Sequence, residues 1–237
     1  MYKRVLLKLS GEALSNESES FDVEMLDNIS RQIKAAADTG VQIAIVVGGG
    51  NFVRGRTLGA LGVDRITADY MGMMGTVMNA MALEASLKKI GQKAKAFSAL
   101  RLQTCEFYDA HKAQDLLDDG YVVVFGGGIA SPYFSTDTTS AVRASETYCE
   151  VILLAKNGVD GVYTADPQLD PNATKYDELT FDEIIDKNLK VIDQTAASMC
   201  KDNGIDALVF DMKEEGNIVR VCSGETIGTV IKAKKEK

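Results

Sequence analysis

The sequence predicts an α/β protein with a mainly parallel sheet covered by helices. Short β-branched runs alternate with longer stretches of helical periodicity, and that order favours parallel strands joined by crossover helices. The strand candidates up to residue 156 also end in glycine-rich or polar segments, where open α/β sheets hold ligands.

The elements follow in order. RVLLKLS opens as a strand, and Asp22 to Asp38 has Leu26, Ile29, Ile33 and Ala36 on one helical face. VQIAIVVGGG is the second strand. A long helix rich in Met and Ala, Thr67 to Lys89, precedes AKAFSAL; its methionines 71, 73, 74, 78 and 81 suit a core or a subunit contact. A helix over Ala110 to Asp118, the strand GYVVVFGGG, the loop IASPYFSTD, a helix over Thr138 to Tyr148 and the strand EVILLAK complete the first two thirds. KNGVDGVYTADPQLDPNATKYDEL is rich in Gly, Asp, Asn and Thr and holds two of the three prolines, so a long irregular connection is expected, a feature that is usually functional. Helices at Phe181 to Asp186 and after Asp193, with strands ALVFDM and NIVRVC, form the remainder.

The 237 residues can bury a sizeable core as one large domain or two small ones, and 46% hydrophobic with 25% charged residues is an ordinary folded composition. A net charge of -8 argues against a general nucleic-acid binder while leaving room for a small anion at a local positive site. The start MYKRVLLKLSGEA is broken by Lys8 and Ser10 and lacks a signal-peptide core, and no stretch approaches a membrane span, so a cytoplasmic protein is expected. Cys105, Cys149, Cys200 and Cys222 lie far apart and His111 is the single histidine, which indicates neither a zinc site nor a disulfide framework. No repeat, low-complexity tract or clean linker forces a domain boundary.

The stretch VVGGGNFVRG carries the chemical question. Three bare glycines at a strand end let a backbone approach an anion, with Arg54 as a nearby cation; a turn needing positive φ, with Arg54 merely solvated, fits equally well. A second triplet, Gly126-Gly127-Gly128, and the edge Lys8-Leu9-Ser10-Gly11 end other strands. If the three edges adjoin, they form one cradle of N–H donors carrying Lys8 and Arg54, suited to a phosphate chain. Neither triplet has the Gly-Lys-Ser/Thr ending of a P-loop or the register of G-x-G-x-x-G, which disfavours both folds.

LLKLSGEAL, VVGGGNFVRG, ADYMGMMGTVMNAMAL, SPYFSTDTTSAVRA, VDGVYTADPQLDP and KVIDQTAA together resemble the bacterial uridylate kinases of the amino acid kinase superfamily, in order and at near-family spacing from Tyr2 onward. The first two motifs carry the superfamily; the Met-rich helix and the PYFSTD loop carry the UMP-specific reading. The resemblance implies a single three-layer α/β/α domain over 1–237, its N-terminal part mainly a UMP site and its part after about 155 mainly an ATP site. It implies that Lys8, Leu9, Ser10, Gly11, Gly50 and Arg54 meet the ATP phosphates, and that Asn157, Tyr163 and Asp166 hold the adenosine end. Gly49 would offer its backbone to UMP and Asp69 would take the ribose hydroxyls. Ile129, Ala130, Ser131, Pro132, Tyr133, Phe134, Ser135 and Thr136 would wrap base and phosphate. Asp137 and Asp193 would orient the lysine and the loop.

Each of these residues also fits a plain role: Asp69 and Asp137 as helix-start or surface carboxylates, Asp166 as a turn residue before Pro167, Tyr163 as core. What is implied is transfer of the γ-phosphoryl of ATP to UMP, with Mg²⁺ bound mainly through the ATP phosphates and no metal site of the protein's own. A homohexamer and feedback inhibition by UTP are implied as well. The segment SNESESFD departs from the glycine-rich stretch some members carry in connection with GTP, which leaves activation by GTP outside what is implied. A superfamily kinase with a different small acceptor, and a non-catalytic nucleotide binder on the same fold, are the alternatives.

Overall fold

The computed structural model describes residues 2–16, 18–53, 55–165, 167, 169–170 and 172–234, with the backbone alone at 55–57. The chain runs β1 (Arg4–Leu9), a 3-10 turn (Gly11–Leu14), α1 (Val23–Ala37), β2 (Gln42–Val47), α2 (Gly55–Ala60), α3 (Arg65–Lys89), β3 (Ala94–Ser98), β4 (Glu106–Phe107), α4 (Ala110–Asp118) and β5 (Val122–Gly126). It continues with α5 (Thr136–Glu146), β6 (Val151–Lys156), β7 (Val162–Tyr163), β8 (Lys175–Tyr176), β9 (Glu178–Thr180), α6 (Phe181–Asp186), α7 (Gln194–Asn203), β10 (Asp206–Asp211), α8 (Asn217–Cys222) and β11 (Thr229–Lys232). Nine strands form one sheet in the order β4-β3-β5-β2-β1-β6-β10-β11-β9, and β7 with β8 makes a separate two-stranded ribbon.

The pairing is parallel from β4 through β10; β11 runs antiparallel to β10 and parallel to β9. The alternation along β1 decides the layers. Val5, Leu7 and Leu9 face one core with Ile29 and Ile33 of α1, Leu83 and Leu87 of α3, and Ile218 and Val221 of α8. Leu6 faces the other, with Ala113 of α4, Ala141 and Ala144 of α5, Phe181 of α6, and Ala196 and Cys200 of α7. Helices thus cover both sides of the sheet, as an α/β/α sandwich requires.

Caps set the helix starts. The carboxylates of Asp22 and Asp64 accept from the second and third backbone N–H groups of α1 and α3, so α3 begins at Arg65, two residues before the sequence expectation. Likewise Ser135 accepts from Asp137 N and Thr138 N, which starts α5 at Thr136, and Tyr148, at φ +56°, lies beyond its end.

Two expectations from the sequence are corrected. NIVRVC is helical, not a strand: Ile218, Val221 and Cys222 are buried at helical spacing, so packing overrides the β-branched preference. The last strand of the sheet is TVIK, residues 229–232, which propensity did not single out. Nor is the connection after Ala155 wholly irregular, since the β7–β8 ribbon and β9 lie within it.

Candidate functional site

The C-terminal ends of β5, β2, β1 and β6, consecutive in the sheet, line one edge, so the three glycine-bearing strand ends do adjoin. Gly48 N donates to Leu9 O at 2.8 Å, and a Cβ at Gly11 would stand 2.8 Å from Gly50 N and 2.4 Å from Asn51 Oδ1. None of Gly48, Gly49 and Gly50 has a positive φ, so the first triplet is not a left-handed turn. Close approach accounts for two of its glycines instead: a Cβ at Gly49 would lie 2.6 Å from Gly72 O on α3, and one at Gly48 would lie 3.0 Å from Gly11 N. The second triplet differs, because Gly127 and Gly128 have φ of +80° and +58°.

Between these edges and α3 lies a cavity of about 200 Å³, lined by Gly49, Gly50, Val53, Ala68, Asp69, Gly72, Met73, Thr76 and Gly128, and by Ser131, Phe134, Ser135, Thr136 and Thr139. It brings together Gly49, Asp69 and four residues of the expected nucleotide loop. Ile129, Ala130, Pro132 and Tyr133 of that loop stand outside the lining, while Gly50, expected on the ATP side, is part of it. The Asp69 carboxylate accepts from Tyr133 N at 2.7 Å and pairs with Arg65 at 3.1 Å, and the Arg65 guanidinium sits 5.1 Å from the centre of the Tyr133 ring. Ala130 and Tyr133 have φ of +60° and +72°, so Asp69 anchors a loop whose backbone is held in a strained conformation.

Lys8 projects from β1 on the α5 side, and its Nζ lies 3.0 Å from Asp137 Oδ1 in the first turn of α5. The contact is an ion pair rather than an aligned hydrogen bond, because Asp137 Oδ1 is buried and has no hydrogen-bond partner among the described residues. Asp193 caps α7 through Ala196 N and accepts from Ser135 Oγ and Thr138 Oγ1, fastening the start of α7 to that of α5. A second cavity, of about 390 Å³, opens on this side, lined by Asp137, Lys156, Asn188, Lys190, Val191, Asp193 and Gln194 with three isoleucines and Leu189. Thr136 faces the first cavity and Asp137 the second, so the start of α5 stands between them.

The remaining candidates are more dispersed. Leu9 is fully buried and can offer a ligand only its backbone. Ser10 precedes the 3-10 turn with no capping bond from its side chain. Asn157 lines a third hollow with Ala13, Met212 and Lys213. The hydroxyl of Tyr163 donates to Asp160 at 2.7 Å; that bond raises the phenol above its ordinary range, and the same bond with the Lys175 ion pair lowers Asp160. Arg54 and Asp166 lie outside the described residues.

Several residues of this architecture escaped the sequence reading. Asn79, fully buried on α3, donates to Gly48 O at 2.7 Å and to Asn51 Oδ1 at 2.8 Å. Thr76, one turn earlier, accepts from Gly127 N at 2.7 Å. Arg143, buried on α5, donates to Gly128 O and lies 3.7 Å from the Tyr108 ring centre. The signal was available for the first two: polar residues three apart within the otherwise apolar stretch of residues 71–83 require partners.

Residues 3–211 match the amino acid kinase family. A uridylate kinase of Nocardioides sp. is 50% identical over 233 residues, which is 98% of each chain, and a uridylate kinase of Pediococcus pentosaceus is 48% identical over 99% of this chain and 98% of its own. The crystal structure of a UMP kinase from Bacillus anthracis superposes with a TM-score of 0.95 at 38% identity, covering 99% of this chain and 97% of the other.

Proposed function

Because the chain belongs to the amino acid kinase family and, within it, to the uridylate kinases, we infer that its two cavities serve one reaction, the phosphorylation of UMP to UDP with ATP as donor. The observation that carries the division of labour is the start of α5 between the cavities, with Lys8 paired to its second residue. In this reading UMP occupies the cavity of Gly49, Asp69 and Phe134, and the ATP phosphates approach from the Lys8 and Asp137 side.

A 5′-phosphate oxygen of UMP, already anionic, attacks the γ-phosphorus, and the bond to the β–γ bridging oxygen breaks to release ADP. No general base is needed. The protein contributes alignment and charge: Lys8 neutralises the group in transfer, Asp137 fixes the direction of Lys8, and the backbone at Gly49 and Gly50 comes close to the phosphates. Asp69 holds the nucleotide loop and takes the ribose hydroxyls, and Asp193 locks Ser135 and Thr138. Leu9, Ser10 and Gly11 serve through their strand-end backbone, and Arg54, Asn157, Tyr163 and Asp166 complete the ATP side.

Magnesium fits as a passenger of the nucleotide. The nearby carboxylates are engaged, Asp137 with Lys8 and Asp193 with Ser135 and Thr138, and no cluster of three acidic or other metal-binding side chains occurs among the described residues. Bound through the phosphates of ATP, Mg²⁺ would offset charge on their oxygens.

The reading extends to a homohexamer, supported by the exposed apolar row Ile66, Tyr70, Met74, Met78 and Met81 on α3, and to inhibition by UTP competing at the UMP cavity. A cytoplasmic setting is supported by four buried free thiols, of which Cys149, Cys200 and Cys222 are each pushed up to about 12 by burial. Among the described residues no helix is long and apolar enough to cross a membrane. The experiment is ADP release with ATP and Mg²⁺ in the presence of UMP, CMP, AMP or no acceptor. Turnover with UMP well above the others supports the reading; none with any of them refutes it.

A further inference from the structure

Lys156 occupies the same sheet edge as Lys8. It ends β6, the strand beside β1, and the register pairs Lys8 with Leu154, so Lys156 lies two residues further toward the ligand edge on the same face of the sheet as Lys8. That face is covered by α5 and α7. Lys156 Nζ donates to Val191 O at 3.0 Å, in the segment leading to Asp193, and the side chain lines the second cavity.

Lys156 has no carboxylate of its own. Asp137 of α5 is paired with Lys8; Asp193, ahead of α7, serves Ser135, Thr138 and Ala196 N; Asp211, beside Lys156 on β10, accepts from Gly158 N and Lys213 N. Among the described residues no acidic oxygen lies within 4 Å of Lys156 Nζ, and the other cation at this cavity, Lys190, is exposed. Burial, with the charge of Lys8 second and against a smaller opposing attraction from Asp137, lowers the Lys156 ammonium below the ordinary lysine range. A half-buried ammonium with one hydrogen bond, beside a second lysine, is an expensive way to tether a loop. It suits a pocket that awaits a multiply charged anion.

We propose that Lys156 is a further phosphate-binding residue of the donor site, contacting the β- or γ-phosphate of ATP across the second cavity from Asp193. The proposal rests on ATP being the donor bound there. Two lysines of adjacent strands would then grip the polyphosphate together, and the anion would supply the partner that Lys156 lacks.

The test is titration calorimetry of ATP, ADP, AMP and UMP against wild type, Lys156→Met and Lys156→Arg, with steady-state kinetics alongside. Loss of one charge-assisted contact is expected to weaken ATP and ADP in Lys156→Met by about 10- to 100-fold. AMP and UMP should change by less than about threefold on the same scale, and Lys156→Arg should recover most of the ATP affinity. Equal weakening of ATP and AMP would reduce Lys156 to a tether for Val191, and unchanged ATP affinity would overturn its role outright. If Lys156→Met does not fold, Lys156→Gln, which keeps a polar N–H donor on a side chain one bond shorter and removes the charge, carries the same comparison. Failure of wild type to bind ATP at all would instead remove the donor assignment, and the proposal with it.

Discussion

Replacing Lys8 by Met should destabilise the fold as well as stop the reaction, because it strands a carboxylate. Asp137 Oδ1 is buried, Lys8 Nζ is paired with it at 3.0 Å, and 13% and 18% of the lysine and aspartate side chains are exposed. Breaking a fully buried pair from one side costs about 3–5 kcal/mol, and the residual exposure here, with Lys156 close by, brings the expected loss to about 2–3 kcal/mol. For a domain of this length that corresponds to a fall in melting temperature of about 4–12 °C. Asp137→Asn should cost less, and the double variant Lys8→Met/Asp137→Asn should regain about 1–2 kcal/mol over Lys8→Met while remaining inactive. Calorimetric or urea unfolding of the four proteins gives the coupling energy, and UMP-dependent ADP release gives the activity. A double variant that loses the sum of the single losses would show that the pair is not coupled. A Lys8→Met enzyme with near-normal turnover would remove the lysine from the mechanism.

Other outcomes follow from the same geometry. Asp69→Ala, which frees Tyr133 N and Arg65 and removes the proposed ribose ligand, should weaken UMP by about 10-fold or more and leave ATP little changed, as separate titrations would reveal. Equal effects on both nucleotides would refute its placement. Gly49→Ala drives a Cβ to 2.6 Å from Gly72 O, so α3 must retreat; a stability loss of about 1–3 kcal/mol and a raised KM for UMP are expected, and an unperturbed variant would contradict the close approach. Acid should also destabilise the protein. Glu106 is held below its ordinary value by Lys112 and Lys95, and Asp160 by Tyr163 and Lys175. The folded state therefore binds fewer protons than the unfolded one, and the stabilisation present above the unfolded carboxylate value is lost as pH falls through the lowered folded values. Melting temperature should drop steadily below about pH 4.5, less so in Glu106→Gln; a flat profile would refute the linkage.

Much of this protein could be read from residue order alone. Short β-branched runs and a periodicity of 3.6 located the parallel strands and their helices, because a sheet buried on both faces demands apolar strands with covering helices whatever the details. The glycine-bearing strand ends pointed to one sheet edge, and β5, β2 and β1 do bring them together there, although for Gly49 the approach of α3 is itself a reason for glycine. Local pattern failed where burial outweighed propensity, as in NIVRVC, which packs as a helix, and in TVIK, which completes the sheet.

What only the tertiary structure decided is pairing across sequence distance. That Lys8 meets Asp137, that Asp193 joins Ser135 and Thr138, and that Asn79 holds both Gly48 and Asn51 depends on strand order and helix placement. The reason residue 49 is glycine is of the same kind: not a left-handed turn, but the nearness of Gly72 O on a helix more than twenty residues away. Sequence determines which groups are available to bind a phosphate; the packing of α3, α5 and α7 against the sheet determines which of them converge, because the energy of a close contact depends on distances that no spacing along the chain specifies.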